Sequence, residues 1–164
     1  MAPNEANLRL RALVILYGAT LVAAVIGSFG SMSSTEFYQQ LMLPGFAPPS
    51  SVFGPVWSLL YFLMATAAFL VWRSDFESRT RPVLTLYLIH LVINALWSWL
   101  FFAWQTGLGA TVGVLVLLGM VVWLTLRFRY YSKAAMLLMV PYVLWVGYAT
   151  LLTISIWQLN PQLL

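Results

Sequence analysis

The sequence predicts an all-α membrane protein: a bundle of five transmembrane helices with its N-terminus cytoplasmic and its C-terminus outside. Three observations carry this. The 164 residues are 62% hydrophobic and 7% charged, with a mean hydropathy of +0.90, whereas soluble domains carry about 25% charge. Five apolar stretches, each near the roughly 20 residues that cross hydrocarbon, run over Leu10–Phe29, Phe53–Trp72, Pro82–Trp104, Leu108–Leu126 and Ala134–Trp157. All eight lysines and arginines fall in alternate connections.

The five stretches read as helices because a backbone in lipid must satisfy its own hydrogen bonds, which leaves helices or closed barrels. Barrel strands alternate in polarity, and these runs do not. The first has a basic flank in Arg9 and Arg11, but its apolar run exceeds a signal-peptide core and no A-x-A site follows, so it is read as a span. Arg73, Arg79 and Arg81 lie between the second and third stretches, and Arg127, Arg129 and Lys133 between the fourth and fifth. The positive-inside rule places those connections and the N-terminus in the cytoplasm. Residues 1–164 thus form a single transmembrane domain. The basic residues flank apolar runs and form no folded basic face, so no nucleic-acid partner is expected. The chain has no cysteine, which removes disulfides and thiolate metal sites.

Residues 30–54 form the longest connection and hold Pro44, Pro48 and Pro49, with Pro55 just beyond. Proline fixes φ and removes a donor, so this connection is stiff. With Phe37, Tyr38, Phe46 and Phe53, it reads either as a cap over the bundle mouth or as a surface loop anchored by its aromatics.

Candidate site residues cluster on three helices. In the third stretch Tyr87, His90, Asn94, Trp97 and Phe101 share one face at helical spacing, with Ser98 beside them. His90 and Asn94 fall near mid-membrane, where polar groups face the bundle interior. They either hydrogen-bond each other and nearby backbone or contact a ligand, His90 less readily as an axial haem ligand. Trp57 and Tyr61 head a stripe on the second stretch; Tyr142, Trp145, Ala149 and Thr153 form one on the fifth. Given the topology, the three stripes converge toward the outer half of the bundle, where a large, flat, mostly apolar molecule would be held by stacking and a few hydrogen bonds. Core packing accounts for each stripe separately. Trp72 and Trp157, at segment ends, are expected in the interfacial belt. Gly109 and Gly113 permit close helix approach, within the chain or in a dimer, and Pro141 is expected to kink the fifth helix. All four acids lie in connections or the N-terminal arm, and no span carries a carboxylate; a carboxylate proton relay and ordinary hydrolysis are not expected, and no metal site is.

The motifs resemble one family. The run Leu43-Pro44-Gly45-Phe46-Ala47-Pro48-Pro49, followed by Phe53-Gly54-Pro55-Val56-Trp57 and Leu60-Tyr61-Phe62-Leu63-Met64, is similar to the loop and second helix of the TspO/MBR family, the tryptophan-rich sensory proteins whose mitochondrial members are the translocator or peripheral benzodiazepine receptor type. Asn94-Ala95-Leu96-Trp97-Ser98 with Phe101-Phe102 resembles the third helix. Pro141-Tyr142, Trp145, Ala149, Ile156-Trp157 and Leu159-Asn160 resemble the fifth. The resemblance extends from Gly27 onward.

It implies a five-helix bundle, usually a homodimer in the lipid bilayer of a bacterial envelope or an organelle. It further implies membrane-embedded binding of tetrapyrroles such as protoporphyrin IX and haem, as ligands and not as obligatory cofactors, under the loop between the first two helices. Transport, sensing or stress regulation would follow. Alternatives are light- or oxygen-dependent porphyrin degradation through cavity tryptophans, and sterol or lipid binding or a structural role. The ligand-binding residues so implied or read from the stripes are Phe46, Phe53, Trp57, Tyr61, His90, Asn94, Trp97, Tyr142, Trp145, Ala149 and Thr153; no catalytic residue is assigned. Phe46 stands where the family commonly has tryptophan, His90 where glutamine is common, and Thr153 where asparagine is usual. Ala149–Asn160 lacks the tyrosine and the basic residue of the sterol-recognition pattern, so sterol binding is not carried over.

Overall fold

The structure is a computed structural model and describes residues 5–32, 34–74 and 79–164. Helices α1 (Glu5–Gly30), α3 (Phe53–Ser74), α4 (Arg81–Ser98), α5 (Gly107–Tyr131) and α6 (Lys133–Leu159) are joined by a short helix α2 (Ser34–Gln40) and a 3₁₀ turn at Ser50–Val52. α4 continues into a π-helical turn over Trp99–Ala103. Among the described residues, five helical segments are long and apolar enough to span a membrane. The chain is an integral, multi-pass membrane protein.

The helices outrun the apolar stretches because polar residues past the hydrocarbon boundary still favour helix. Glu5, placed in an arm by the sequence reading, opens α1 and pairs with Arg9 at 3.4 Å. α5 extends through Arg127 and Arg129 to Tyr131, and Ser132 then caps α6 by accepting from the Ala135 N–H at 3.2 Å. Pro141 sits inside α6 without ending it.

Connection 30–54 is partly helical, which corrects the reading of it as a loop throughout. Residues 34–40 carry no proline, and Glu36 in the first turn complements the helix dipole. Phe37 and Tyr38 are buried beneath the turn. Phe37 packs edge-on against Phe101, and Tyr38 against Phe53.

Around the bundle the order is α1, α4, α5, α6, α3 and back to α1, while α3 and α4 barely touch. The helix directions gather the basic connections at one end and α2 with the Pro-rich segment at the other, here called the cap end. The core runs along the axis through Met64, Ala68, Tyr87, Val114, Val121, Phe128, Met139 and Tyr142, all essentially inaccessible. Leu, Val and Ile on the outer faces are exposed, as lipid-facing residues must be in a membrane protein.

Trp72 departs from its belt assignment. It is buried and stacks on Phe69 with ring centroids 5.9 Å apart at 19°. The helix extends past it to Ser74, so Trp72 is an interior residue and not a terminal one. Trp157 is half-buried and covers the start of α5, where a Cβ on Gly107 would overlap its ring. Gly109 and Gly113 serve packing within the chain. A Cβ at Gly113 would lie 3.1 Å from Leu100, and one at Gly109 2.7 Å from the Thr106 hydroxyl.

Gly107→Ala is expected to destabilise the fold by about 1–3 kcal/mol through forced displacement of Trp157. Gly119→Ala, whose added methyl meets nothing within 4 Å, is expected to be neutral. Thermal unfolding of the two variants in detergent checks this.

Candidate functional site

The cap-end half of the bundle divides into a filled centre and an off-centre cavity. The centre is closed by polar side chains from three sides of the ring. Tyr61 on α3 donates its hydroxyl proton to Asn94 Oδ1 on α4 at 2.6 Å. Asn94 Nδ2 donates to the Tyr142 hydroxyl on α6 at 2.6 Å. Tyr142 OH also meets His90 Nε2 at 2.9 Å, and His90 Nδ1 meets the Tyr87 carbonyl at 3.1 Å.

The directions of these bonds are determined by the chemistry of the partners. A carbonyl only accepts, so His90 Nδ1 carries the proton and Nε2 is left as the acceptor. The amide NH₂ only donates, so the Tyr142 oxygen accepts from Asn94 and gives its own proton to His90 Nε2. Every group is satisfied with a neutral imidazole. His90, Asn94 and Tyr142 are at most 1% exposed. His90 and Asn94 therefore do not bond each other directly; they meet through Tyr142. Both His90 nitrogens are engaged within the core, which leaves none for a haem iron.

Two more polar links tie α1 to the ring on the basic-end side of this centre. Thr20 donates to the Leu16 carbonyl at 2.7 Å and so accepts from the Tyr87 hydroxyl at 2.6 Å. Thr66 donates to the Phe62 carbonyl at 2.8 Å and accepts from the Tyr17 hydroxyl at 2.7 Å.

The cavity lies beside the centre, between the cap-end halves of α1 and α3, with the end of α4 behind it and the α2 segment above. Its volume is about 580 Å³, within the range of small-molecule sites. One wall is aromatic, from Phe53, Trp57, Tyr61 and Phe102. The other is small and hydroxylic, from Ala24, Gly27 and Ser28 of α1 and Ser31 just past its end, with Ser58 and Ser98 opposite and Ser34, Thr35, Ser50 and Ser51 on the cap side. A second recess of about 680 Å³ lies on the outside of α1 and α4, among Ala19, Ala23, Leu91, Ala95 and Trp99; its lining holds no hydroxyl and no charged side chain. The mixed lining of the first marks it as the candidate site.

Three of the residues taken from the sequence line this cavity: Phe53, Trp57 and Tyr61. Trp97 stands behind Trp57 with centroids 6.2 Å apart, and Trp145 behind Phe53 at 6.0 Å. Tyr142 completes the aromatic group, edge-on to Trp57 at 6.2 Å. Ala149 and Thr153 are buried in α6, and His90 and Asn94 belong to the filled centre. Phe46 is half-exposed on the cap, against Tyr148. The serines of α1 were missed. Their signal was present, since Ala24, Gly27, Ser28 and Ser31 share one helical face, but that face carries no aromatic stripe of the kind that marks α3, α4 and α6.

The cap is fastened on the α6 side. Asn160, past the end of α6, accepts from the Met42 N–H at 2.8 Å and donates to the Met42 carbonyl at 2.9 Å. Tyr148 donates to the Phe46 carbonyl at 2.8 Å, and Tyr38 to the Pro48 carbonyl at 3.0 Å. These bonds favour the cap reading of the connection over that of a loop held only by aromatics.

An α-helical, multi-pass membrane protein with a cavity beneath its cap is thus defined. The TspO/MBR family model matches residues 15–158, and the chain belongs to that family. Among similar proteins, the tryptophan-rich protein TspO of Archaeoglobus fulgidus is 36% identical over 87% of this chain and 92% of its own length. That of Chlorobaculum tepidum is 34% identical over 94% and 99%. The translocator protein of Ovis aries is 30% identical over 87% and 88%.

Tyr142→Phe strands both His90 Nε2 and an Asn94 N–H and is expected to cost about 1–3 kcal/mol, whereas Tyr61→Phe orphans Asn94 Oδ1 alone and costs about 1 kcal/mol; chemical or thermal unfolding ranks them. In the cap, burial, with Tyr148 adding, pushes the Tyr38 hydroxyl up from 10.0 to about 12. A folded value above the unfolded one contributes stability that is fully present below pH 10 and is lost as pH rises toward 12. Protease cleavage within the cap is expected to rise across that window, and Tyr38→Phe to remove that part of the dependence.

Proposed function

We propose that this chain binds a tetrapyrrole, protoporphyrin IX or haem, in the capped cavity between α1 and α3, and so serves the membrane role in sensing or transport that membership of the TspO and translocator family supports. The observation that carries the reading is the cavity's wall of Phe53, Trp57, Tyr61 and Phe102 facing the small residues Ala24 and Gly27. A flat macrocycle needs an aromatic plane to stack on, and this wall supplies one. The approach of α1 is close: a Cβ on Gly27 would already touch the Tyr61 and Ser98 oxygens at 3.5 Å. A bulkier residue there would displace Tyr61 from the cavity wall.

With His90 committed to Tyr142 and Tyr87, haem would be held by its ring and not through an imidazole–iron bond. The affinities of free-base and iron porphyrin are therefore expected to be similar.

Protoporphyrin IX is expected to quench the tryptophan fluorescence of the purified protein saturably at micromolar concentration. Trp57→Ala should weaken binding about tenfold, in line with loss of an aromatic contact, and Gly27→Leu should abolish it. Absence of saturable quenching in the folded wild type would remove the reading.

A further inference from the structure

The outer faces of α1 and α4 form a groove that the capped cavity does not use. The recess among Ala19, Ala23, Leu91 and Ala95 reaches Leu88 on the basic-end side. Leu88 also lines a smaller recess of about 200 Å³, which continues between the same two helices past Ile15, Leu84 and Thr85 to Arg81. The two recesses thus meet in one groove that runs from the basic end toward the cap end.

The groove is graded in polarity along its length. Arg81 stands exposed at its basic-end mouth on α4. Arg11 on α1 lies four residues before Ile15 and so shares its helical face. It is exposed and makes no ion pair or hydrogen bond among the described residues. Thr85, one turn deeper than Arg81, is exposed, and its hydroxyl makes no hydrogen bond among the described residues. Beyond Leu88 the lining holds no hydroxyl and no charged side chain. The Trp99 indole N–H there is given to the Ile26 carbonyl, and Trp104 stands at the far, cap end. Cationic, then hydroxylic, then apolar matches the order of groups in a phospholipid: phosphate, ester, hydrocarbon. One leaflet supplies about 15 Å of hydrocarbon, half of the bilayer core, which equals about ten helical residues. A chain whose ester meets Thr85 therefore ends near Ala95, inside the upper recess.

We propose that this groove holds one anionic phospholipid of the leaflet at the basic end, with its phosphate between Arg11 and Arg81, its ester at Thr85 and an acyl chain along Leu88 to Ala95. Charge selects the headgroup. By sequence, that end carries all eight basic residues and three of the four acids, a balance that attracts anionic lipid. A guanidinium also takes phosphate oxygens two at a time. A second copy seated on the same face fits less well, because a twofold pair sharing one membrane orientation brings the two sets of arginines together. The inference does not depend on what the capped cavity binds.

Thermal unfolding of the purified, full-length protein in detergent tests this, with dioleoylphosphatidylglycerol and dioleoylphosphatidylcholine as probes of identical chains. The anionic lipid is expected to raise Tm saturably by about 5 °C, and the zwitterionic one by less than half as much. Native mass spectrometry should show one phosphatidylglycerol retained per chain. Arg11→Gln/Arg81→Gln is expected to bring the two lipids to the same shift. Leu88→Trp, which fills the groove where its halves meet, should remove the phosphatidylglycerol shift. Leu88 is exposed on the outer face, so this variant should fold, and it decides alone if the arginine variant does not. Equal shifts from the two lipids in the wild type, an anionic preference kept in either folded variant, or no saturable shift would overturn the inference. A lipid-free dimer, seen by light scattering, that Leu88→Trp converts to monomer would overturn it too, since the face would then be a contact between copies.

Discussion

Hydrocarbon offers no hydrogen bonds, so a polar group at the centre of a membrane bundle must find its partner within the protein. For His90 and Asn94 that requirement is met at a single atom. The hydroxyl oxygen of Tyr142 accepts from Asn94 and donates to His90, and Asn94 in turn accepts from Tyr61. The three helices involved, α3, α4 and α6, are held across the middle of the ring rather than along its edges. Because the network is complete only with one tautomer of His90 and one orientation of Asn94, it specifies a single register of the helices. Leu and Val packing alone, with lipid as apolar as the side chains, does so poorly.

The location of the cavity follows from this. With the centre filled, the space for a ligand moves to one side, where α1 leans on α3. α1 lies outside the Tyr142 network and is held by its own bonds, Tyr17 to Thr66, Tyr87 to Thr20 and the Trp99 indole N–H to the Ile26 carbonyl at 3.0 Å. The first two lie toward the basic end, below the cavity. The third reaches α1 behind it. The cap, by contrast, is fixed to α6 through Asn160 and Tyr148. Roof and near wall are therefore secured to different parts of the bundle.

Much of this was legible in the sequence, and the reasons are physical. Span number follows from hydropathy, because the bilayer imposes a length. The stripes of α3, α4 and α6 were legible because helical spacing places Trp57 with Tyr61, His90 with Asn94, and Tyr142 with Trp145 on common faces. The pairing between stripes was not legible. Periodicity says which residues share a face but not the rotation of one helix against the next, so His90 and Asn94 read as partners when both belong to Tyr142. The short helix at Ser34–Gln40 was hidden by the prolines that follow it. The serines at the cap end of α1 were not legible because no aromatic stripe marks the side of that helix that faces the cavity.

The π turn at Trp99–Ala103 has a consequence for how this cavity can change over time. Its i→i−5 bond, from the Trp104 N–H to the Trp99 carbonyl at 2.8 Å, accommodates one residue more than an α-helical turn would. That surplus lets the neighbours Phe101 and Phe102 both turn inward, where both are buried. Removal of a single residue from this turn would restore a regular helix and swing the few residues between it and the start of α5 by about 100°, carrying one of the two rings out toward lipid. Phe102 lines the cavity. A lineage could thus reshape its binding wall with one deletion while the Tyr142 network, a turn below, remained untouched.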